Sequence, residues 1–130
     1  FVLHLSNVMH LATDVTGVLN DSAKQADIFT LIDQLHPTAA VCGTPTDIAR
    51  ELISNLEQMN RERYAAPVGW VDANGDGEVA IALRCGLLSE DKKSMRIFAG
   101  CGIVAGSDPE KEFAESQAKL MPMRTALEML

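Results

Sequence analysis

Three charged residues near the end of the sequence, Glu112, Glu115 and Lys119, are spaced at i, i+3 and i+7. On a helix those offsets put all three on one face. Two carboxylates so placed can hold a hard cation such as Mg²⁺, which takes oxygen ligands and keeps several waters, leaving coordination positions for an anionic substrate. The same spacing also describes a solvated face with a Glu115–Lys119 ion pair worth about 0.3 kcal/mol. On spacing alone the solvated face is the favoured reading.

Gly100-Cys101-Gly102 precedes that segment. Glycines there let a ligand approach backbone N–H groups closely, but a lone GxG is weak, and by itself a strand ending in a turn is the favoured reading. Arg84 closes the apolar run Ala80-Ile81-Ala82-Leu83. Its guanidinium suits a bidentate carboxylate contact, or equally a head that reaches back to solvent. Asp72-Ala73-Asn74-Gly75-Asp76-Gly77 matches the first half of a calcium loop. The second half fails, because Leu83 stands where a bidentate glutamate is needed, so the segment reads as a hairpin turn. His4, His10 and His36 show no zinc spacing with Cys42, Cys85 and Cys101.

The elements that must position these groups alternate between strand and helix. Residues 7–19 carry the β-branched, alternating pattern of a strand, and 21–24 read as a polar turn. Ile28, Leu31, Ile32 and Leu35 share a helical face that stops at His36-Pro37. Residues 37–45 read as a loop of small residues. Thr46 or Asp47 can cap the next helix, whose stripe is Ile48, Leu52, Ile53, Leu56 and Met59, ending near Arg61. Strands are expected over 64–71, 79–87 and 94–104. The last helix starts either on a Ser107–Glu110 capping box or on Asp108 followed by Pro109, and Pro122 should kink it.

The chain of 130 residues suits one domain, or a piece of one, and its 47% hydrophobic content suits a globular core. A net charge of −7 argues against nucleic acid and against an anionic membrane as partner. Three distant cysteines without a CxxC pair suggest free thiols in a reducing compartment, the cytoplasm. No run approaches the roughly 20 apolar residues that span a bilayer. The first residue is Phe1, not Met, and 3–11 reads as an element already under way, so a preceding N-terminal part is expected.

Taken together, several stretches resemble the chorismate-utilising enzymes. These are Asn7-Val8-Met9-His10-Leu11, the run from His36 to Pro45, Arg63-Tyr64-Ala65-Ala66-Pro67-Val68-Gly69-Trp70, Ile81-Ala82-Leu83-Arg84, and the run from Ala99 to Glu112. They occur in family order along nearly the whole chain, which is far more specific than any one of them. The resemblance implies an α/β (α+β) fold of stacked β-sheets flanked by helices, with residues 1–130 forming the C-terminal part of a chorismate-binding catalytic domain. It implies Mg²⁺ as cofactor, with Glu115 as a direct ligand and Glu112 as a direct or water-mediated one. Tyr64 and Arg84 would hold the enolpyruvyl carboxylate, helped by the backbone of Gly102 and Gly100. His10 would lie near the ring, and Lys119 near the metal-bound carboxylate.

Ala40 with Val41 resembles the isochorismate synthases, whereas relatives that eliminate pyruvate or add ammonia carry a threonine in this loop. The alternatives are a salicylate- or anthranilate-forming enzyme and a non-catalytic chorismate-binding module. Isochorismate feeds siderophores, salicylate and menaquinone, and the run from Gly102 to Glu112 leans toward siderophore-type enzymes. The family's general base, a lysine, and its general acid, a glutamate, match no residue here; neither Lys24 nor Lys119 fits the base motif. The expected substrate is chorismate, a small dianion, and the expected partner is the missing N-terminal part of the same enzyme.

Overall fold

In a computed structural model, the structure describes residues 1–4, 9–19 and 27–129, and of His10 the backbone alone. The order is β1 (Val2–His4), β2 (Met9–Leu11), α1 (Ile28–Leu35), α2 (Ala39–Cys42), α3 (Thr46–Glu57), β3 (Pro67–Val71), β4 (Gly77–Ile81), β5 (Cys85–Leu88), β6 (Met95–Phe98) and α4 (Pro109–Glu128). The strands pair as antiparallel two-stranded ribbons, β1–β2, β3–β4 and β5–β6. Small sheets with helices beside them are the mixed architecture expected from the sequence.

Helix α1 begins where Asp27 accepts the Thr30 N–H at 2.8 Å. That bond lowers the Asp27 pKa, so the ionised cap is complete above the ordinary carboxylate range and is lost as pH falls below it. Helix α4 starts on Asp108, which accepts from the Glu110 and Lys111 N–H groups at 3.0 and 3.1 Å, with Pro109 at the first helical position. This settles the two capping alternatives in favour of Asp108, while Ser107 instead accepts the Val104 N–H. The helix runs on through Pro122, which withholds only one backbone donor.

Other expectations need correction. Of the strand expected over 7–19, only Met9–Leu11 pairs within the described residues, and the turn at 21–24 lies outside them. The loop expected over 37–45 contains α2, because Thr38 caps the Ala-Ala-Val-Cys turn through its carbonyl, accepting the Val41 and Cys42 N–H groups. Neither Thr46 nor Asp47 caps α3; Pro45 occupies that position without a side-chain bond, and Asp47 instead sits in the first turn, where the helix dipole favours it. The strand expected over 64–71 is shorter, because Tyr64 to Ala66 form a turn. The strand expected over 94–104 ends at Phe98.

The single strand expected over 79–87 is two. Ala82 still pairs with Ala65 and Ala66, at 2.9 Å each way. The Leu83 N–H then bonds to the Ile81 carbonyl, and Arg84 takes a φ of 48°, which turns the chain into the next ribbon. The Asp72–Gly77 turn forms as expected: the Asp72 carboxylate accepts the Asn74 and Asp76 N–H groups at 2.8 and 3.0 Å.

Among the described residues the buried apolar side chains are Cys42, Ala65 and Phe98. They sit where α2, the turn before β3 and the end of β6 meet. Elsewhere the apolar faces are uncovered, as on α3, where Ile48, Leu52 and Leu56 are all more than half exposed. The accessible surface is 10781 Å². A compact monomer of this mass shows about 6700 Å², so the faces built to be buried exceed what the chain covers by itself.

Candidate functional site

A cavity of about 220 Å³ opens where α2, the turn before β3, the end of β6 and α4 approach one another. Ala40, Tyr64, Gly100, Gly102 and Lys119 all line it. Five of the residues singled out for substrate binding, more than 70 positions apart at the extremes, are therefore brought together by the fold.

The wall is built residue by residue. The Tyr64 ring stacks on Phe98 with centroids 5.2 Å apart. Its hydroxyl lies over Gly100, where an added Cβ would come within 2.9 Å of it, so any side chain there would push the stacked ring aside. The Gly100 carbonyl accepts from Lys119 Nζ at 3.0 Å. The same ammonium pairs with the Glu115 carboxylate at 2.6 Å. Lys119 thus ties α4 to the glycine loop, with Glu115 as its counter-ion.

Cys101 Sγ contacts the Glu112 carbonyl at 3.4 Å, which ties the first turn of α4 to the glycine loop. Burial pushes the Cys101 thiol pKa up, so it is protonated at neutral pH and is no nucleophile. Burial likewise raises the Tyr64 phenol, opposed by the Arg61 guanidinium nearby. At neutral pH the phenol is a hydrogen-bond donor.

Glu112 and Glu115 stand one turn apart on α4, beside the glycine loop and outside the cavity lining. Among the described residues no three His, Cys, Asp or Glu side chains cluster as a metal cage. Mg²⁺ asks for less, one or two carboxylates with water and substrate oxygens completing the shell, and this turn of α4 carries two. Glu115 serves here as counter-ion to Lys119.

Arg84 does not line the cavity. It is exposed, and its neighbour Leu83 supplies that edge. His10 pairs with Leu3 through the backbone, and its side chain lies outside the described residues. Two residues not singled out from the sequence also belong to the wall, Arg61 and Glu57. Their i, i+4 charge spacing was visible, but that pattern is common on solvated helices. No helix among the described residues is long and apolar enough to cross a membrane.

A family model described as chorismate binding enzyme matches residues 1–128. The isochorismate synthase MenF of Bacillus subtilis is 47% identical over 121 residues, covering 93% of this chain and 25% of that protein. The isochorismate synthase DhbC of the same organism is 41% identical over 126 residues, covering 97% of this chain and 31% of that protein. A crystal structure described as DhbC from Bacillus anthracis superposes with a TM-score of 0.74 at 43% identity, over 80% of this chain and 27% of that one. The chain spans about a quarter to a third of the length of the curated relatives it matches.

Proposed function

Because the chain belongs to the chorismate-binding enzyme family, we propose that its cavity is the carboxylate-holding part of an isochorismate synthase site. The observation that carries the reading is the convergence of Ala40, Tyr64, Gly100, Gly102 and Lys119 on one cavity with Glu112 and Glu115 beside it.

The substrate is a dianion in an acidic protein, so local positive charge and N–H donors must hold it. Tyr64 donates its phenol proton to the enolpyruvyl carboxylate, and the backbone N–H of Gly102 supports that contact. Arg84, adjacent to the cavity edge at Leu83, supplies a bidentate clamp for the same group. Lys119 faces the other carboxylate. His10 lies near the ring. Glu112 and Glu115 hold Mg²⁺, which when bound neutralises and orients a substrate carboxylate. Fixing both ends of the ring turns the addition of water and departure of hydroxyl into a reaction between placed groups. Exclusion of water strengthens each contact.

Ala40 at the cavity wall keeps the loop free of the hydroxyl that the pyruvate-eliminating relatives resemble each other in carrying. The proton transfers need a base and an acid. Their family motifs match no residue among these 130, so the isolated chain is expected to be inactive. The reading favours the cytoplasm, where the protein's thiols stay reduced.

The test is a chimera in which these 130 residues replace the matching segment of the Bacillus subtilis MenF. With chorismate and Mg²⁺ the chimera should form isochorismate, retaining the enolpyruvyl group, while the 130-residue chain alone should form none. A folded chimera that yields salicylate and pyruvate, or an isolated chain that turns over, would refute the reading.

A further inference from the structure

The route from α3 to β3 is conformationally costly. Gln58, Glu62 and Ala65 take φ values of 49°, 50° and 65°, the left-handed region that L side chains rarely occupy. Each such residue persists only where its surroundings hold it. Ala65 is buried and bonded to Ala82, which fixes one end of the route. Arg61 sits at its middle and reaches outward in three directions.

Its Nε donates to Glu57 at 2.7 Å, with a second contact from the other arm of the fork to the same carboxylate. A terminal nitrogen donates to the Val41 carbonyl at 3.1 Å, 20 residues away in α2. The guanidinium lies over the Tyr64 ring, 5.4 Å from its centroid, and the Arg61 carbonyl accepts the Tyr64 N–H at 2.8 Å. A surface i, i+4 pair would be worth little. This one belongs to an arginine whose side chain is about a quarter accessible, and it joins α3, α2 and the tyrosine at once. A planar fork suits these contacts, since a single ammonium nitrogen cannot meet both carboxylate oxygens in parallel and also reach the Val41 carbonyl. Arg61 and Tyr64, with Val41, Glu57, Met59 and Ala65, also line both the 220 Å³ cavity and a larger one of about 670 Å³ beside α2 and α3.

We propose that Arg61 is a positioning residue of the site: anchored on Glu57 and on the Val41 carbonyl, it holds the Tyr64 ring against Phe98 and over Gly100 and fixes the segment that carries Ala40. Its importance for chorismate rests on the function proposed above; its action on Tyr64 does not.

The sequence holds one tyrosine and one tryptophan, so each is a private reporter. Three variants are compared with the parent chain: Arg61→Met, Arg61→Lys and Glu57→Gln. Ring-to-ring nuclear Overhauser contacts between Tyr64 and Phe98 should be lost in Arg61→Met and weakened in the other two. Trp70, exposed on β3, should keep its fluorescence. The groups acting on the Tyr64 phenol are Arg61, which lowers its pKa, and Glu57, Cys85 and Cys101, which with burial raise it. In Arg61→Met a released ring should titrate closer to the ordinary value of about 10.

A phenol that titrates higher than in the parent, with its Phe98 contacts intact, would overturn the proposal, because the ring would have stayed while losing only a cation. Loss of the Trp70 signal in all three variants would overturn it too, assigning Arg61 to the fold at large. In the chimera, Arg61→Lys should weaken chorismate binding on the order of tenfold. A parent chimera that ignores chorismate would sink the substrate reading and leave the Tyr64 result standing.

Discussion

Glu115→Gln in the chimera is expected to lower kcat/KM for isochorismate formation by roughly 100-fold or more. The substitution keeps the shape of the side chain and removes its charge. Two interactions weaken together. A neutral amide is a poorer ligand for a hard cation than a carboxylate, and Lys119, now paired with Glu115 at 2.6 Å, loses its counter-ion. The two are separable by titrating Mg²⁺. If the metal role dominates, raising Mg²⁺ should recover part of the activity. If the carboxylate serves only Lys119, added Mg²⁺ should recover none. Glu110→Gln, in the first turn of the same helix and exposed, is the control and should change kcat/KM less than about twofold.

The second large effect is on stability. Gly69→Ala should destabilise the folded chain by about 3 kcal/mol, the upper end for an overpacked site. Gly69 faces Val79 in the β3–β4 ribbon. A Cβ there would lie 2.0 Å from the Glu78 carbonyl oxygen and 2.8 Å from the Val79 Cα. Both neighbours are backbone, so no rotamer change relieves the clash and the ribbon itself must open. That ribbon is continued by the Ala65 and Ala66 bonds to Ala82, which seat Tyr64, so the damage reaches the cavity. Gly17→Ala, with nothing within 4 Å of the added Cβ, should leave the urea midpoint unchanged. Equal midpoints for the two variants would contradict the argument.

The helices were legible in the sequence because their signals are local. Apolar spacing over Ile28 to Leu35, the His36-Pro37 stop and the Asp108-Pro109 start each act within a few residues. The Asp72 turn was legible for the same reason. The break at Ala82–Arg84 was not. A left-handed φ at an arginine is imposed by two ribbons pulling the chain in different directions, and no residue type announces it. The short α2 was hidden behind two prolines that read as loop. The exposed stripe of Ile48, Leu52 and Leu56 shows the complementary failure: the pattern of a core-facing helix is present without a cover.

The candidate site was legible only through resemblance. Spacing alone favoured a solvated face for Glu112, Glu115 and Lys119, and the Glu115–Lys119 ion pair of that reading is present. What spacing could not supply was the third dimension, in which Lys119 reaches the Gly100 carbonyl and Gly100 passes under the Tyr64 hydroxyl. Arg61 was overlooked because its partners are a common helical neighbour and a backbone carbonyl, neither of which leaves a motif.

The most direct measurement is a titration of the isotopically labelled chain with chorismate at millimolar concentration, with and without Mg²⁺, followed by nuclear magnetic resonance. The account predicts Mg²⁺-dependent shifts concentrated at the Tyr64 ring, the Gly100 and Gly102 amides and the Lys119 side chain. Shifts that bypass these groups, or none at all while the chain stays folded, would contradict it.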